Sequence, residues 1–487
     1  MAERYWSGES SRGITSRIVI EGDLILLTPA HLGNGEGATV DELVDMTLLL
    51  DPLAEGEGTE RPLLTGTTIA GALRGYLRER EHGFGGRAEA ASLSSLLFGG
   101  QKGDDDGEQS RLIVDDAIGA QGRIELRDGV MLKGETRTVA EKAKFDLQLW
   151  EAGTIFPLRF ELTIDAQSEK NGETDALRQA LATALLGLTR GEITLGARKH
   201  RGYGKVTVSN WRLCEYNLKR PGDLLGWIGE GGKPLPNHWA IDTDGLVSRL
   251  GGEIADNRKY LTIGAGFSLD GSMLIRAGGS HGDRSPDMAH LQSRQADGRM
   301  APILSGTSLA GAIRSRIETI INTLAPQKAA NIIKDLFGDT GQASRLTVSE
   351  QPIENGVNNL VQNRVAIDRF TGGARETALF NQQPVFGDEE THLTINLRLI
   401  NPADHEIGLL LLVLKDLWTG DLPLGGEQSV GRGRLKGRHA TLTLQNAGEA
   451  TLWVLNAHEQ GLEISGDGER LNGYVTDALT NYLQTTA

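Results

Sequence analysis

The sequence contains a single cysteine, Cys214, among 487 residues. One thiol excludes an intrachain disulfide and any cysteine-cluster metal site, and such scarcity is typical of proteins from a reducing compartment. Long apolar segments are also lacking. The longest apolar run, Leu409–Leu414, is far shorter than a bilayer span, and Met1–Gly13 has no apolar core of the kind found in signal peptides. These absences predict a cytoplasmic protein without a membrane partner.

Basic residues are fewer than acidic ones, and the formal net charge is −15. A strongly acidic chain is a poor free-standing, sequence-independent nucleic-acid binder, since its overall field repels phosphates. A local basic groove on an acidic body is compatible with this balance. The sequence also lacks the G-x-x-x-x-G-K-S/T phosphate loop, which weakens an ATPase interpretation.

The chain does contain an internal duplication. LTGTTIAGALRG at Leu64 recurs as LSGTSLAGAIRS at Leu304, 240 residues later, and seven of the twelve positions are identical. Three further segments recur in the same order: Ser95–Gly100 as Asp335–Thr340, Ser110–Asp116 as Ser344–Glu350, and Gly196–Lys205 as Glu427–Gly437. Four ordered matches indicate two modules of one architecture.

We predict a first module over 1–213, a linker or insertion over 214–258, a second module over 259–444 and a C-terminal tail over 445–487. In module 1, periodicity predicts a strand, a helix, a strand, a helix and a strand: Ser16–Thr28, Thr67–Arg80, Thr154–Ile164, Asp175–Leu188 and Gly204–Leu213. Module 2 repeats the order, with Ile407–Trp418 as its second helix. The pattern predicts an α+β fold of two tandem ferredoxin-like, RRM-like units with elaborated loops.

The first helix of module 1 is amphipathic. Ile69, Leu73, Tyr76 and Leu77 share one face, and Thr67 or Thr68 is the expected N-cap. Gly66 and Gly71 would permit close approach to the helix start, where free N–H groups and hydroxyls favour an anion. The alternative is a capped helix whose glycines allow packing against the sheet.

Glycine-rich basic loops lie between the second helix and last strand of each module. Glycines let a backbone approach a phosphate closely, and cations neutralise phosphates without reading sequence. The alternative is a solvated, basic turn, but its repetition favours a phosphate-backbone site. With the helix openings, the candidate residues are Gly66, Thr67, Thr68, Arg74, Arg198, Lys199, His200, Arg201, Lys205, Gly306, Thr307, Ser308, Arg314, Arg432, Arg434 and Lys436.

The helix openings and basic loops together resemble the RAMP superfamily of CRISPR proteins, and most closely the backbone subunits of type III effectors. Val365–Phe380 strengthens the resemblance, because it is similar to the IDR-x-TG-x-A segment of those subunits and adds Arg369 to the RNA-binding candidates. The resemblance implies ferredoxin-like cores with thumb hairpins, in a tandem form. It also implies CRISPR RNA, single-stranded target RNA and other effector subunits as partners, and a role in antiviral defence.

The family's cleaving aspartate lies between the first strand and first helix. DMTLLLDP (Asp45–Pro52) matches that pattern, so the resemblance implies Asp45 as the catalytic residue of module 1, with Asp51 and Asp41 as neighbouring candidates. In module 2 it implies Asp287, with Asp283 as the second choice. These carboxylates would hold Mg²⁺ or another divalent cation that the protein does not enclose.

Three functions follow. The first is a metal-dependent endoribonuclease that acts within a complex and cuts target RNA once per module. The second is a non-catalytic scaffold that binds CRISPR RNA. The third, from another class, is a duplicated α+β protein that binds a small anion and lacks a salt-dependent RNA affinity.

Overall fold

A computed structural model describes residues 13–33, 46–53, 60–87, 89, 91–100, 109–120, 122–132, 139–230, 232–276, 286–459 and 461–484. Two large hydrophobic cores form, one from residues between Ile18 and Leu250 and the other from residues between Leu261 and Leu479. Each core lies between one antiparallel sheet and the helices that cover it. The duplication in the sequence is therefore a duplication of the fold.

Module 1 forms a sheet with the strand order β3-β7-β1-β8. Its strands pair antiparallel with their sheet neighbours, and helices α1 and α4 pack on one face. The elements are β1 (Ile14–Leu26), β2 (Leu63–Leu64), α1 (Gly66–His82), α2 (Leu93–Phe98), β3 (Leu112–Val114), β4 (Ala117–Ile118), β5 (Ile124–Leu132), β6 (Val139–Trp150), β7 (Ile155–Asp165), α3 (Ala166–Lys170), α4 (Thr174–Thr189), a 3₁₀ turn (Lys199–Arg201) and β8 (Val206–Asn217).

Module 2 repeats this order as β14-β19-β9-β20 and extends the sheet by β21 (Glu449–His458) and β22 (Gly461–Ser465). Its elements are β9 (Lys259–Asp270), β10 (Ser272–Met273), β11 (Met288–Ala289), β12 (Gln292–Arg294), β13 (Met300–Leu304), α7 (Gly306–Leu324), a 3₁₀ turn (Pro326–Lys328), α8 (Ala329–Phe337), β14 (Leu346–Val348), β15 (Gln351–Pro352), β16 (Gln362–Ile367), β17 (Ala374–Gln383), β18 (Val385–Phe386), β19 (His392–Ile400), α9 (Asp404–Trp418), a 3₁₀ turn (Gln428–Val430) and β20 (Arg434–Asn446).

The order last-first-third-second across each sheet is the ferredoxin-like arrangement, so the predicted fold class is confirmed. The structure adds an edge strand that periodicity did not predict. This strand, β3 or β14, comes from the repeated segment that begins Ser-Arg-Leu. Each module also projects an antiparallel hairpin, β5–β6 in module 1 and β16–β17 in module 2.

The segment between the modules packs on module 1. It contains α5 (Pro221–Glu230), a 3₁₀ turn (Asn237–Trp239) and α6 (Thr243–Arg249), and Leu246 and Leu250 are buried in the first core. Beyond β20 the chain forms β21 (Glu449–His458), β22 (Gly461–Ser465), α10 (Gly468–Gly473), a π-helix (Tyr474–Leu479) and α11 (Thr480–Gln484). Leu471, Tyr474 and Leu479 are buried in the second core. The domain boundaries drawn from the sequence stay a prediction.

The first helix of module 1 buries the predicted face of Ile69, Leu73, Tyr76 and Leu77. The predicted N-cap was wrong by two or three residues. Thr65 is the N-cap, and its hydroxyl accepts from the Thr68 backbone N at 3.3 Å. Ser305 has the same role in α7, so in both helices the N-cap is the residue before the shared glycine of the duplicated motif.

Within the described residues, every helix is too short or too polar to span a membrane.

Candidate nucleic-acid interface

The basic loop of module 1 connects α4 to β8 through the 3₁₀ turn Lys199–Arg201. The turn is bounded by two residues in the left-handed region, Arg198 at φ 56° and Gly202 at φ 92°. Glycine adopts that region without the steric cost that other residues incur. The glycine-rich sequence therefore sets the loop's shape, while the cations between the glycines determine its charge.

This loop lies against module 2. A Cβ on Gly202 would overlap the backbone N of Glu350, and a Cβ on Gly306 would overlap the carbonyl of Arg201. His200 Nδ1 is 3.0 Å from the hydroxyl of Thr347 on β14. The loop of the first module thus contacts the helix opening and edge strand of the second. The sequence alone does not show which loop contacts which helix opening.

The junction concentrates positive charge. Lys199 and Arg314 are exposed, and Arg201 is half-buried. Burial, followed by the charges of Arg314 and Arg198, lowers the pKa of Arg201. Burial also lowers the pKa of His200, with smaller contributions from Lys199 and Arg201. The smaller contributions to both pKa shifts come from neighbouring cations, and an anion would relieve the repulsion between them.

A buried nitrogen at this junction also lacks an acceptor. Arg201 Nη1 is inaccessible to solvent and has no hydrogen-bond partner among the described residues. Buried polar groups are nearly always hydrogen-bonded in proteins, so each exception calls for an explanation. A phosphate oxygen at the junction would provide the missing acceptor.

The remaining module 1 candidates are divided between exposed and engaged side chains. Thr67, Thr68 and Lys205 are exposed, whereas Gly66 is buried against the backbone at Val114. Arg74 is half-buried and donates to the carbonyls of Gly99 at 2.8 Å and Gly100 at 3.2 Å. Arg74 therefore fixes the end of α2 as well as being a predicted RNA contact.

The module 2 candidates do not form one cluster. Arg432 is only 3% exposed, and its Nη2 donates to the side-chain oxygens of Gln362 at 2.7 Å and Gln382 at 3.2 Å. Arg434 and Lys436 are exposed on alternate positions of β20. Thr307 is exposed at the helix opening, and Ser308 is half-buried and bonded to Ser305.

The hairpin β16–β17 carries Arg369 near its tip. Arg369 is exposed, and its neighbour Phe370 is 98% exposed. The carboxylate of Asp368 accepts from the backbone N of Phe370 and of Thr371, both at 2.9 Å. These bonds fix the turn and hold the aromatic ring in solvent.

The predicted catalytic residues fall in three groups. Asp45, Asp41 and Asp283 lie outside the described residues. Asp51 is 5% exposed, accepts from the backbone N of Leu53 at 3.0 Å and lies 3.5 Å from Arg61 Nη1. Asp287 is exposed, and its Oδ2 accepts from the backbone N of Asn381 at 2.9 Å on β17.

Met288 and Met46 pair with the hairpins of their modules in the same way. Met288 pairs in parallel with Gln382 on β17, and Met46 pairs in parallel with Leu147 on β6. The residue before each methionine is the predicted catalytic aspartate. In each module the methionine therefore pairs in parallel with the second strand of the hairpin.

Sequence reasoning missed the contacts that hold the junction together. Arg127 Nη2 on β5 lies 2.9 Å from Glu350 Oε1, and both side chains are 4% exposed. Ser293 donates to Glu125 at 2.7 Å, and Arg294 Nε pairs with Glu151 at 2.7 Å. The repeat could have drawn attention to Glu350, because this residue is the last one of a duplicated segment.

A family model described as the RAMP superfamily matches the chain twice, over residues 23–207 and 252–436. The two matches cover both modules and the helix openings, basic loops and hairpins described above. The chain belongs to the RAMP superfamily and is a tandem member of it. Proteins of this superfamily are generally CRISPR-associated, bind RNA and form complexes, and some are ribonucleases. A comparison with curated proteins gave no match.

Proposed function

We propose that this chain is a backbone subunit of a type III CRISPR effector, which binds CRISPR RNA and cleaves complementary target RNA once per module. The observation that carries the proposal is the basic junction between two RAMP modules. Cations from the loop of module 1 and from α7 of module 2 converge there, while the carboxylate of Glu350 is paired with Arg127. Such a site binds a phosphate backbone irrespective of sequence.

The hairpins support the part of the proposal that concerns target RNA. Phe370 offers a free aromatic face at the tip of β16–β17, and Arg369 lies beside it. Aromatic rings stack on unpaired bases, and arginine neutralises the adjacent phosphate. A hairpin with this tip would hold a displaced nucleotide out of a guide–target duplex.

Cleavage is assigned to Asp287 and Asp45. Attack of a ribose 2′-oxygen on the adjacent phosphorus breaks the bond to the 5′-oxygen, leaving a cyclic phosphate and a 5′-hydroxyl. A carboxylate beside the displaced nucleotide would accept the 2′-hydroxyl proton, a water molecule would give a proton to the leaving 5′-oxygen, and nearby cations would stabilise the charge on the phosphorane. Asp287 is exposed. It lies at the base of the hairpin, because its carboxylate accepts from the backbone N of Asn381 on β17.

A divalent cation fits this site only as a loosely held group. Among the described residues, no three His, Cys, Asp or Glu side chains come together as a metal site. Mg²⁺ typically takes one or two carboxylates together with substrate phosphates and water. Asp287, and Asp45 in module 1, would hold such an ion jointly with RNA, and the ion would supply charge neutralisation at the phosphate.

The scaffold alternative keeps one observation in its favour. Asp287 exchanges two hydrogen bonds with Asn381, through its own backbone N at 2.6 Å and its Oδ2 at 2.9 Å. A carboxylate bound in this way stabilises the loop whether or not it acts on RNA. A scaffold would bind CRISPR RNA and leave target RNA intact.

The first experiment is to purify the chain from cells that express a CRISPR array and to extract the nucleic acid. We expect a small RNA of defined length that dissociates at high salt. Absence of RNA, together with salt-independent binding of a labelled single-stranded RNA, would instead favour a small-anion binder and contradict the proposal.

A further inference from the structure

The 3₁₀ turns within the two glycine-rich loops have the same backbone but opposite charge. Arg198 and Glu427 begin their 3₁₀ turns at φ 56° and 57°, and Gly202 and Gly431 end them at φ 92° and 87°. The residues from Arg198 to Arg201 are Arg-Lys-His-Arg, whereas those from Glu427 to Val430 are Glu-Gln-Ser-Val. The two copies therefore share the turn, and only the first copy carries cations within it.

The second loop is also engaged within its own module. Glu427 accepts from Gln382 Nε2 and pairs with Arg364 at 3.3 Å, both on the hairpin β16–β17. Arg432 Nε lies 3.1 Å from Glu427 Oε2. These contacts neutralise Arg432 and connect the loop to the hairpin. Arg432 Nη1, like Arg201 Nη1, is buried without a hydrogen-bond partner among the described residues, but Arg432 already has a carboxylate beside it, so the second loop acts as a brace for the hairpin.

The two helix openings differ in whether a carboxylate lies at the positive end of the helix. In module 1, the backbone N of Gly66 donates to the carboxylate of Asp116 at 2.6 Å, so the positive end of α1 already has an anion. The equivalent carboxylate in module 2 is Glu350, which pairs with Arg127 instead. The positive end of α7 thus has no carboxylate from this position, and the backbone of the first loop lies against it at Arg201.

These differences concern both halves of the predicted site. The start of α7 in module 2 lacks a carboxylate from the duplicated position, and the cationic loop of module 1 lies against it. The start of α1 in module 1 has a carboxylate, and among the described residues no cationic loop lies against it. We infer that the phosphate-binding site is built once per chain, at the module junction, and that the duplicated position in module 2 has become a structural brace. This inference rests on the proposed function, because it states where that function's RNA backbone is held.

The test compares two double variants that remove the same charge from exposed positions. Lys199→Gln with Arg314→Gln removes one cation from each side of the junction, and Arg434→Gln with Lys436→Gln removes two cations from β20 of module 2. The full-length chain is titrated into a fluorescently labelled single-stranded RNA, about 40 nucleotides long so that it exceeds one binding site, over a range of salt concentrations. Thermal unfolding confirms that both variants fold as the wild type does.

For the junction variant we expect the slope of log K against log salt to become shallower by about 1.4, because each phosphate that is no longer neutralised changes the slope by about 0.7. The β20 variant should keep a slope within about 0.3 of the wild-type value. Equal changes in both variants, or a larger change in the β20 variant, would overturn the inference and leave RNA binding itself intact. If the wild-type chain has no salt-dependent affinity, the proposed function and the inference both fail.

Discussion

Arg127 and Glu350 form an ion pair that joins the two modules inside the protein, with Nη2 and Oε1 2.9 Å apart. Tyr203, from the loop that follows the 3₁₀ turn, places its ring 5.4 Å from the Arg127 guanidinium. The pair therefore connects the hairpin of module 1, the basic loop of module 1 and the edge strand of module 2.

Replacing one partner of this pair should be costly. Arg127→Met leaves the Glu350 carboxylate buried and uncompensated, so it should lower the free energy of unfolding by about 3–5 kcal/mol. Glu350→Gln should cost less, because the Arg127 guanidinium keeps its ion pair with Glu125. The double variant Arg127→Met/Glu350→Leu should be less destabilised than Arg127→Met alone, because it also removes the stranded carboxylate. Urea denaturation measures all three. Arg299→Gln, at an exposed pair with Asp297, is the control and should leave the midpoint unchanged.

Asp287→Ala should abolish one product of target-RNA cleavage in the assembled complex, and Asp45→Ala should abolish another. The reaction is run with Mg²⁺ or EDTA on end-labelled target RNA. Asp51→Asn is the contrasting variant, because Asp51 is buried and bonded to Leu53 and Arg61. It should lower stability and keep both products, and unchanged fragments in the Asp45 and Asp287 variants would contradict the assignment of the catalytic residues.

The glycines of the duplicated helix have distinct roles that alanine substitutions should separate. A Cβ on Gly306 would overlap the Arg201 carbonyl and approach Val348 O to 2.7 Å, whereas Gly311 has no heavy atom within 4 Å of the added Cβ. Gly306→Ala should therefore destabilise the junction and weaken RNA binding. Gly311→Ala should raise the free energy of unfolding by about 1 kcal/mol, the usual helix-propensity gain. Thermal unfolding of the two variants distinguishes them, and equal effects would be evidence against close packing at Gly306.

His290 should make stability depend on pH. It is 3% exposed, and burial lowers its pKa to about 4. The unfolded state therefore binds the proton more readily between about pH 6.5 and pH 4, so stability is present above that range and falls as pH decreases through it. The decrease should reach about 3 kcal/mol at full protonation. His290→Gln should flatten the stability difference between about pH 7 and pH 5 measured by urea denaturation, and an unchanged difference would exclude His290 as its source.

Phe370, at the tip of the hairpin β16–β17, should contribute to RNA affinity and little to stability. Its ring is 98% exposed, so Phe370→Ala should change stability by no more than about 0.5 kcal/mol. The same change should weaken target-RNA binding by about 1–3 kcal/mol, which is the usual contribution of a stacked base. Leu379→Ala is the matched control, since Leu379 is 73% exposed on the same hairpin and has no π-face. An equal weakening of RNA affinity by both substitutions would indicate general apolar contact instead of stacking.

The sequence predicted the duplication, the main helices and the fold class, because periodicity and repetition are local signals. Ile69 and Leu73 illustrate this success, since their spacing alone placed them in the core. Strand β3 escaped prediction because three residues are too few to show alternation. The N-cap was misplaced because Thr65, Thr67 and Thr68 all carry a hydroxyl, and only backbone geometry distinguishes them.

The site was harder to predict than the fold because its decisive contacts join residues far apart in the chain. Nothing local to Glu350 shows that its carboxylate pairs with Arg127, or that Asp116 at the duplicated position bonds to Gly66. Arg432 was predicted to contact RNA from its place in a basic loop, yet its side chain is buried among Gln362, Gln382 and Glu427. Its role toward RNA stays a prediction. Charge in a sequence does not reveal which cations reach solvent.

The buried contacts between the modules fix the distance between the two hairpins. A joint that swivels would let the two hairpins approach or separate, but Arg127–Glu350, Ser293–Glu125 and Arg294–Glu151 fix three points of the joint. Equivalent atoms of the two modules are therefore held at a constant spacing by one polypeptide, independently of any other subunit. The spacing between the two modules is therefore a fixed property of this chain.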